Sequence, residues 1–152
     1  MNFKTYYLKE SNKPICITNG NGNKYWYLND KLHREDGPAV EYANGNKAWY
    51  LNGKLHREDG PAIEDVDGYK EWYLNDKLHR EDGPAREWAN GTKEWYLNGK
   101  IHRENGPAIE YADGTKYWYL NDKEYSETDY KRELIRQGIL KDPSLEDVMD
   151  AI

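Results

Sequence analysis

The chain has 152 residues, with 22 Lys and Arg against 28 Asp and Glu, for a net charge of −6. That length suits one domain able to bury roughly two thirds of its unfolded surface. An acidic chain without a basic block argues against a phosphate-binding surface, so nucleic acid is not expected as a partner.

Cys16 is the single cysteine, which rules out an internal disulfide and fits a reducing compartment. The opening “MNFKTYYLKESNK” has no apolar signal core, and no run of 18 apolar residues follows, so neither secretion nor a membrane span is expected. Leu, Ile, Val and Phe total only 24 residues, under the roughly 20% below which charged chains tend toward disorder. Against that stand 14 Tyr and 6 Trp, each able to bury about 150–250 Å². They recur at fixed positions, which a disordered chain has no reason to maintain. The expected core is therefore aromatic.

Residues 1–23 read as an edited β unit, in which “YYL” at 6–8 stands where later units have “WYL”. From there a period of 23 governs the chain. His33, His56, His79 and His102 keep that interval, as do Trp26, Trp49, Trp72, Trp95 and Trp118. Four whole units occupy 24–46, 47–69, 70–92 and 93–115, and a partial fifth runs over 116–123. Such a period marks a stacked repeat.

Within a unit, “KEWYLN” reads as a strand rich in β-favouring aromatics, closed by Asn-Asp or Asn-Gly. “PAIEYA” reads as a second strand, closed by Asn-Gly or Asp-Gly. Both turns are expected to place two central residues at positive φ. Between the strands lies “LHREDGPA”. Its Pro38, Pro61, Pro84 and Pro107 cannot donate to a ladder, which puts this segment at a bulge or an unpaired edge. The fold expected is mainly β: an elongated antiparallel meander of 23-residue β-hairpins.

Strand alternation points Trp26 and Leu28 to one face and Tyr25 and Tyr27 to the other. Positions fixed in every copy build the unit; those that vary are free to carry a binding surface. The variable set contains Tyr25, Tyr42, Tyr69, Arg86, Trp88, Tyr111 and Tyr117. Tyr, Trp and Arg are the usual interface anchors, so these seven are the expected partner-binding residues.

After Asp122 the period changes, and residues 124–152 read as an acidic helical cap. Ser126 is an N-cap, Asp129 stands at N3, Tyr125 and Tyr130 form a staple, and Gly138 ends the helix. Asp142 and Pro143 open a second short helix with Leu145, Val148, Met149 and Ile152 on one stripe. Repeat arrays need closed ends.

The repeated “HRED” has the residue types of an acid–base site. Yet equivalent residues in adjacent hairpins stand two strands apart, on the order of 10 Å, so the copies form a row and do not converge. No Gly-rich phosphate loop, nucleophile elbow or cluster of Cys ligands accompanies them. One His and one or two carboxylates per unit also fall short of a metal site. Neither catalytic residues, a metal nor a cofactor are expected, and HRED reads as structural.

The period and the words “WYLNGKLH…GPAIEYADGT” resemble the MORN repeat over residues 24–123. The chain departs from it where Arg34-Glu35-Asp36 separate the His from Gly37, and where Pro38 follows. A nearer resemblance is to repeat proteins of the “WYLNGKLHREDGPA” type, frequent in tailed phages and large viruses, which commonly close with an acidic helical tail. That resemblance implies a viral origin and the cytoplasm of an infected host, while the likeness to MORN arrays implies a scaffold that binds proteins or lipid head groups instead of an enzyme. The function expected is a non-enzymatic binding protein that engages and inhibits a host protein, such as a component of antiviral defence. Two alternatives stand beside it. One is a sponge or hydrolase for a small nucleotide signal using the HRED rows. The other is a structural protein that self-associates through its sheet edges.

Overall fold

A computed structural model of the chain describes residues 13–141. The “YYL” at 6–8 and the second helix expected after Pro143 lie outside the described residues.

Among the described residues the fold is a long antiparallel meander of short hairpins followed by one helix. Ile15–Thr18 starts a sheet that passes through Lys24–Leu28, Val40–Glu41, Lys47–Ala48, Ile63–Glu64 and Lys70–Glu71. It continues through Arg86–Glu87, Lys93–Glu94, Ile109–Glu110 and Lys116–Leu120 to Lys123–Tyr125. Beside it stands a row of tight hairpins in which Tyr50–Leu51 meets Lys54–Leu55, Tyr73–Leu74 meets Lys77–Leu78, and Tyr96–Leu97 meets Lys100–Ile101.

Tryptophan is where each strand changes partner. Trp26 donates to Ala39 O at 2.8 Å and accepts from His33 N at 2.9 Å. One residue thus faces two, and residues 34–38 loop out between them, interrupting the ladder. The same happens at Trp49, Trp72 and Trp95. The resulting loops, 34–38, 57–61, 80–84 and 103–107, form four crests on the Trp face. Pro sits at this break in the ladder, as its missing N–H requires.

The two turns of a unit differ, which corrects the expectation that both are alike. At the tight hairpins both central residues have positive φ, as at Asn52 (53°) and Gly53 (82°) or Asn75 (51°) and Asp76 (64°). At the other turn only the glycine does, Gly45 at 97° for example. There Gly45 N bonds Tyr42 O and Tyr42 N bonds Asn46 O, both at 2.9 Å, and Asn44 Oδ1 accepts from Asn46 N at 3.0 Å. This is a three-residue loop with glycine as a G1 bulge. Asn44 caps the backbone from an ordinary φ, so Asn or Asp serves equally there.

Little of the sheet is fully buried. Ala39, Ala62, Ala85 and Ala108 have no exposed surface, and Val40 and Ala48 are also buried. Most aromatics are half-buried. A single-layer sheet has few interior positions, so stability must come from stacking along its faces and from bonds between units.

The helix α1, Glu127–Arg136, closes the last hairpin. Ser126 Oγ accepts from Asp129 N at 3.1 Å, and Gly138 ends the helix at φ 72°, both as expected from the sequence. Tyr130 and Leu134 bury themselves with Leu120 against Trp118 and Tyr125.

Candidate functional site

On the face opposite the crests, one register line crosses the sheet. Tyr25, Val40, Ala48, Ile63, Glu71, Arg86, Glu94, Ile109 and Tyr117 are successive cross-strand partners. The line is apolar or aromatic except at its centre. There Arg86 Nε donates to Glu71 Oε1 at 2.7 Å and Arg86 Nη1 to Glu94 Oε2 at 3.0 Å. The Glu71 side chain is only 7% exposed and that of Glu94 13%. Two carboxylates around one guanidinium leave a formal charge of −1 in a site that equivalent units fill with Val, Ile, Ala or Tyr.

Aromatics wrap this triad. The Tyr69 and Trp88 rings lie 4.8 Å apart, and the Arg86 guanidinium is 5.8 Å from the Trp88 centroid and 5.6 Å from that of Tyr96. Trp88 Nε1 donates to Glu94 Oε1 at 3.0 Å, and Tyr96 Oη to Glu94 Oε2 at 3.1 Å. Burial, then the neighbouring carboxylate, raises the phenol pKa of Tyr69 and of Tyr73, and pushes that of Tyr96 up to about 12. For Arg86, burial works against the charge, but the bond and charge of Glu71 outweigh it and the pKa is raised overall. The guanidinium stays charged and the phenols stay neutral donors.

Of the seven expected partner residues, the structure brings Tyr69, Arg86 and Trp88 into one cluster. Tyr111 and Tyr117 form a second, edge-to-face pair at 5.8 Å. Tyr25 is half-buried and stacks on Tyr27 at 6.5 Å, and Tyr42 is exposed at the far turn. Neither joins the central cluster. The reading of the sequence passed over Glu71 and Glu94, although both occupy the variable position of Tyr25 and Tyr117. Two carboxylates at one variable position, flanking a lone Arg at another, were the available signal.

The HRED residues have other partners. Arg34 folds under its own crest, its guanidinium 4.2 Å from the Trp26 centroid. There Nε donates to Asp36 Oδ1 at 2.8 Å, and Nη1 to Pro38 O at 3.3 Å and Glu41 Oε1 at 3.2 Å. Arg57, Arg80 and Arg103 repeat this over Trp49, Trp72 and Trp95. The histidines bind unit to unit: Nδ1 of His33, His56, His79 and His102 accepts from the backbone N of Asn52, Asn75, Asn98 and Asn121. A ring that accepts at Nδ1 carries its proton on Nε2 when neutral. The Asn52 amide, 3.0 Å from the same nitrogen, then turns its NH₂ end to the ring. Arg and His thus serve the crest and the stack, while Glu35 and Asp36 stand out to solvent. Among the described residues no three His, Cys, Asp or Glu side chains gather as metal ligands, and no helix is long and apolar enough to cross a membrane.

No protein-family model matches the chain, and no curated protein matches it either.

Proposed function

We propose that this chain is a non-enzymatic binding protein that grips a partner protein with the face centred on Tyr69, Arg86 and Trp88. The observation that carries this reading is the charged triad itself. The scaffold accepts Val40, Ile63 and Ile109 at the position of Arg86, so the fold has no need of a guanidinium there. Holding two carboxylates out of water costs free energy that apolar residues would not. A rigid, charged and aromatic patch below an indole that is 43% exposed has the composition of an interface centre. The exposed pair Tyr111 and Tyr117 extends the patch toward the C-terminal units.

The resemblance of the repeat to those of phages and large viruses is the ground for proposing a partner in an infected host, with inhibition of that host protein as the proposed role. The test is affinity capture from host lysate with the wild type beside Trp88→Ala and Tyr111→Ala variants. A protein retained by the wild type and lost with both variants supports the reading. Retention by all three sinks it, provided circular dichroism shows the variants folded.

A further inference from the structure

The crest face carries a second surface. Between consecutive crests lies a groove floored by the Trp and Leu of the next unit. Arg34–Gly37 and Arg57–Asp59 wall one such groove over Trp49, Leu51 and His56. Another lies between the third and fourth crests over Trp95 and Leu97, bordered also by Ile139 and Leu140, and a related one lies ahead of the first crest over Trp26 and Leu28, beside Lys13 and Pro14. All are open in the described residues.

The groove beyond the fourth crest is filled. Its floor is Trp118 and Leu120, with Tyr125 in the place of the histidine, and α1 lies in it. Leu120 is 4% exposed there, whereas Leu28, Leu51, Leu74 and Leu97 are only half-buried. The helix enters with two side chains one turn apart, Tyr130 and Leu134. The Tyr130 hydroxyl also reads the crest backbone: it donates to Arg103 O at 2.7 Å and accepts from Gly106 N at 3.2 Å. At the other crests the matching groups, Arg34 O and Gly37 N, Arg57 O and Gly60 N, Arg80 O and Gly83 N, have no hydrogen bond among the described residues.

Charge separates the filled groove from the open ones. The fourth crest carries Asn105 where the first three carry Asp36, Asp59 and Asp82. Its helix brings Glu127 and Asp129 in the first turn. The open crests keep the extra carboxylate, and Glu35 and Asp36 are 82% and 86% exposed.

We infer that the open grooves between the first three crests bind an amphipathic helix of a partner protein. That helix presents Tyr and Leu at i and i+4 and carries basic flanks. The protein's own last groove shows the apolar and hydrogen-bonding half of the fit; the exposed glutamates together with the additional aspartates supply the preference for positive charge. This surface lies on the opposite side of the sheet from the Trp88 cluster and does not depend on it.

The probe is a labelled peptide of residues 126–138 carrying Glu127→Gln, Asp129→Asn and Glu133→Gln, titrated into the full chain by fluorescence anisotropy. The expected result is saturable binding, weakened at least about tenfold by the combined Glu35→Lys, Glu58→Lys and Glu81→Lys reversals. These side chains are exposed, and circular dichroism checks that the reversed protein is folded. Tyr130→Phe in the peptide should weaken binding by roughly three- to tenfold, the worth of the lost hydroxyl bonds. Absence of saturable binding overturns the inference. So does binding indifferent to the crest reversals, since the peptide would then be exchanging with α1 or adhering without specificity. Trp88→Ala should leave the peptide affinity unchanged, which keeps this result separate from that of the opposite face.

Discussion

The guanidinium carbon of Arg103 lies 3.8 Å from the centroid of the Trp95 ring while its Nη1 donates to Glu110 Oε1 at 2.8 Å. That relationship recurs in all four crests and explains most of the repeated word. Arg stacks on Trp, Asp or Asn two residues on holds its Nε, the Pro carbonyl and the Glu seven residues on hold its Nη1, and Gly leaves room above it. A stack of this kind contributes about 0.5–2 kcal/mol per copy.

The glycine claim can be tested directly. A Cβ at Gly60 would stand 2.8 Å from Arg57 Cζ. A free arginine tip would swing aside, but this one is pinned by Trp49, Asp59, Pro61 and Glu64. Gly60→Ala should therefore destabilise by about 1–3 kcal/mol, the usual cost of overpacking. In an Arg57→Ala background the added cost should largely vanish. Urea unfolding of the four proteins of this cycle measures both quantities; equal costs in the two backgrounds would show that no clash exists.

What the sequence disclosed depended on what repeats can disclose. The period set the hairpins, the face alternation and a break in the ladder at Pro, because each rests on local backbone chemistry that Gly, Pro and Asn report. The cap was legible from Ser126, Asp129 and Gly138 for the same reason. The location of Arg34 was not legible, since its partners lie on both sides of the loop and a side chain can fold back under its own backbone without any local signature. Nor was the difference between the two turns, as Asn-Gly serves a two-residue and a three-residue loop alike. At the candidate site, variation between copies singled out Tyr69, Arg86 and Trp88. Comparing one column at a time hid the carboxylates, whose meaning appears only once the register sets Glu71 and Glu94 on either side of Arg86.

Acid should weaken the fold through the crests. Asp36, Asp59 and Asp82 have lowered pKa values, first through the hydrogen bond from the Arg two residues before and then through its charge. A folded pKa below the unfolded one means that the unfolded chain binds more protons. The contribution is complete above the ordinary carboxylate value and is lost as pH falls below about 4. Asn105 already fills this place in the fourth crest, with Oδ1 accepting from Arg103 Nε at 3.0 Å. Changing the three aspartates to Asn should lower stability at neutral pH and flatten its dependence on acid. Thermal melts of both proteins from pH 7 down to about 2.5 would show the two curves converging; parallel curves would contradict the assignment.

At the opposite end of the scale, Tyr96 should ionise late. Burial and then the Glu94 carboxylate hold its phenol up to about 12, against a smaller opposing pull from Arg86. Because the folded pKa is raised, this stabilising term is intact below the unfolded value near 10 and disappears as pH climbs toward 12. The phenolate absorbance difference between wild type and Tyr96→Phe isolates this one tyrosine. Repeating the difference in a Glu94→Gln background should move its titration downward. An unchanged midpoint would mean that the Glu94 contact does not exist in solution.

The central triad gives the sharpest separation of stability from function. Arg86→Ile installs the side chain found at positions 63 and 109, yet it leaves Glu71 and Glu94 buried without their cation. Removing one partner of a buried pair costs about 3–5 kcal/mol. The Arg86 side chain is 23% exposed, so the lower end of that range is expected. Restoring the apolar line with Glu71→Ala and Glu94→Ala as well, following Ala48 in the same column, should recover most of that loss, because no carboxylate is then left buried without its cation. The triple variant would then be a sound fold with a blank face. Calorimetric melts measure the first half of the prediction and partner capture the second. A triple variant that is stable and still holds the partner would leave the triad without a role in recognition; one that cannot fold would make it part of the scaffold after all.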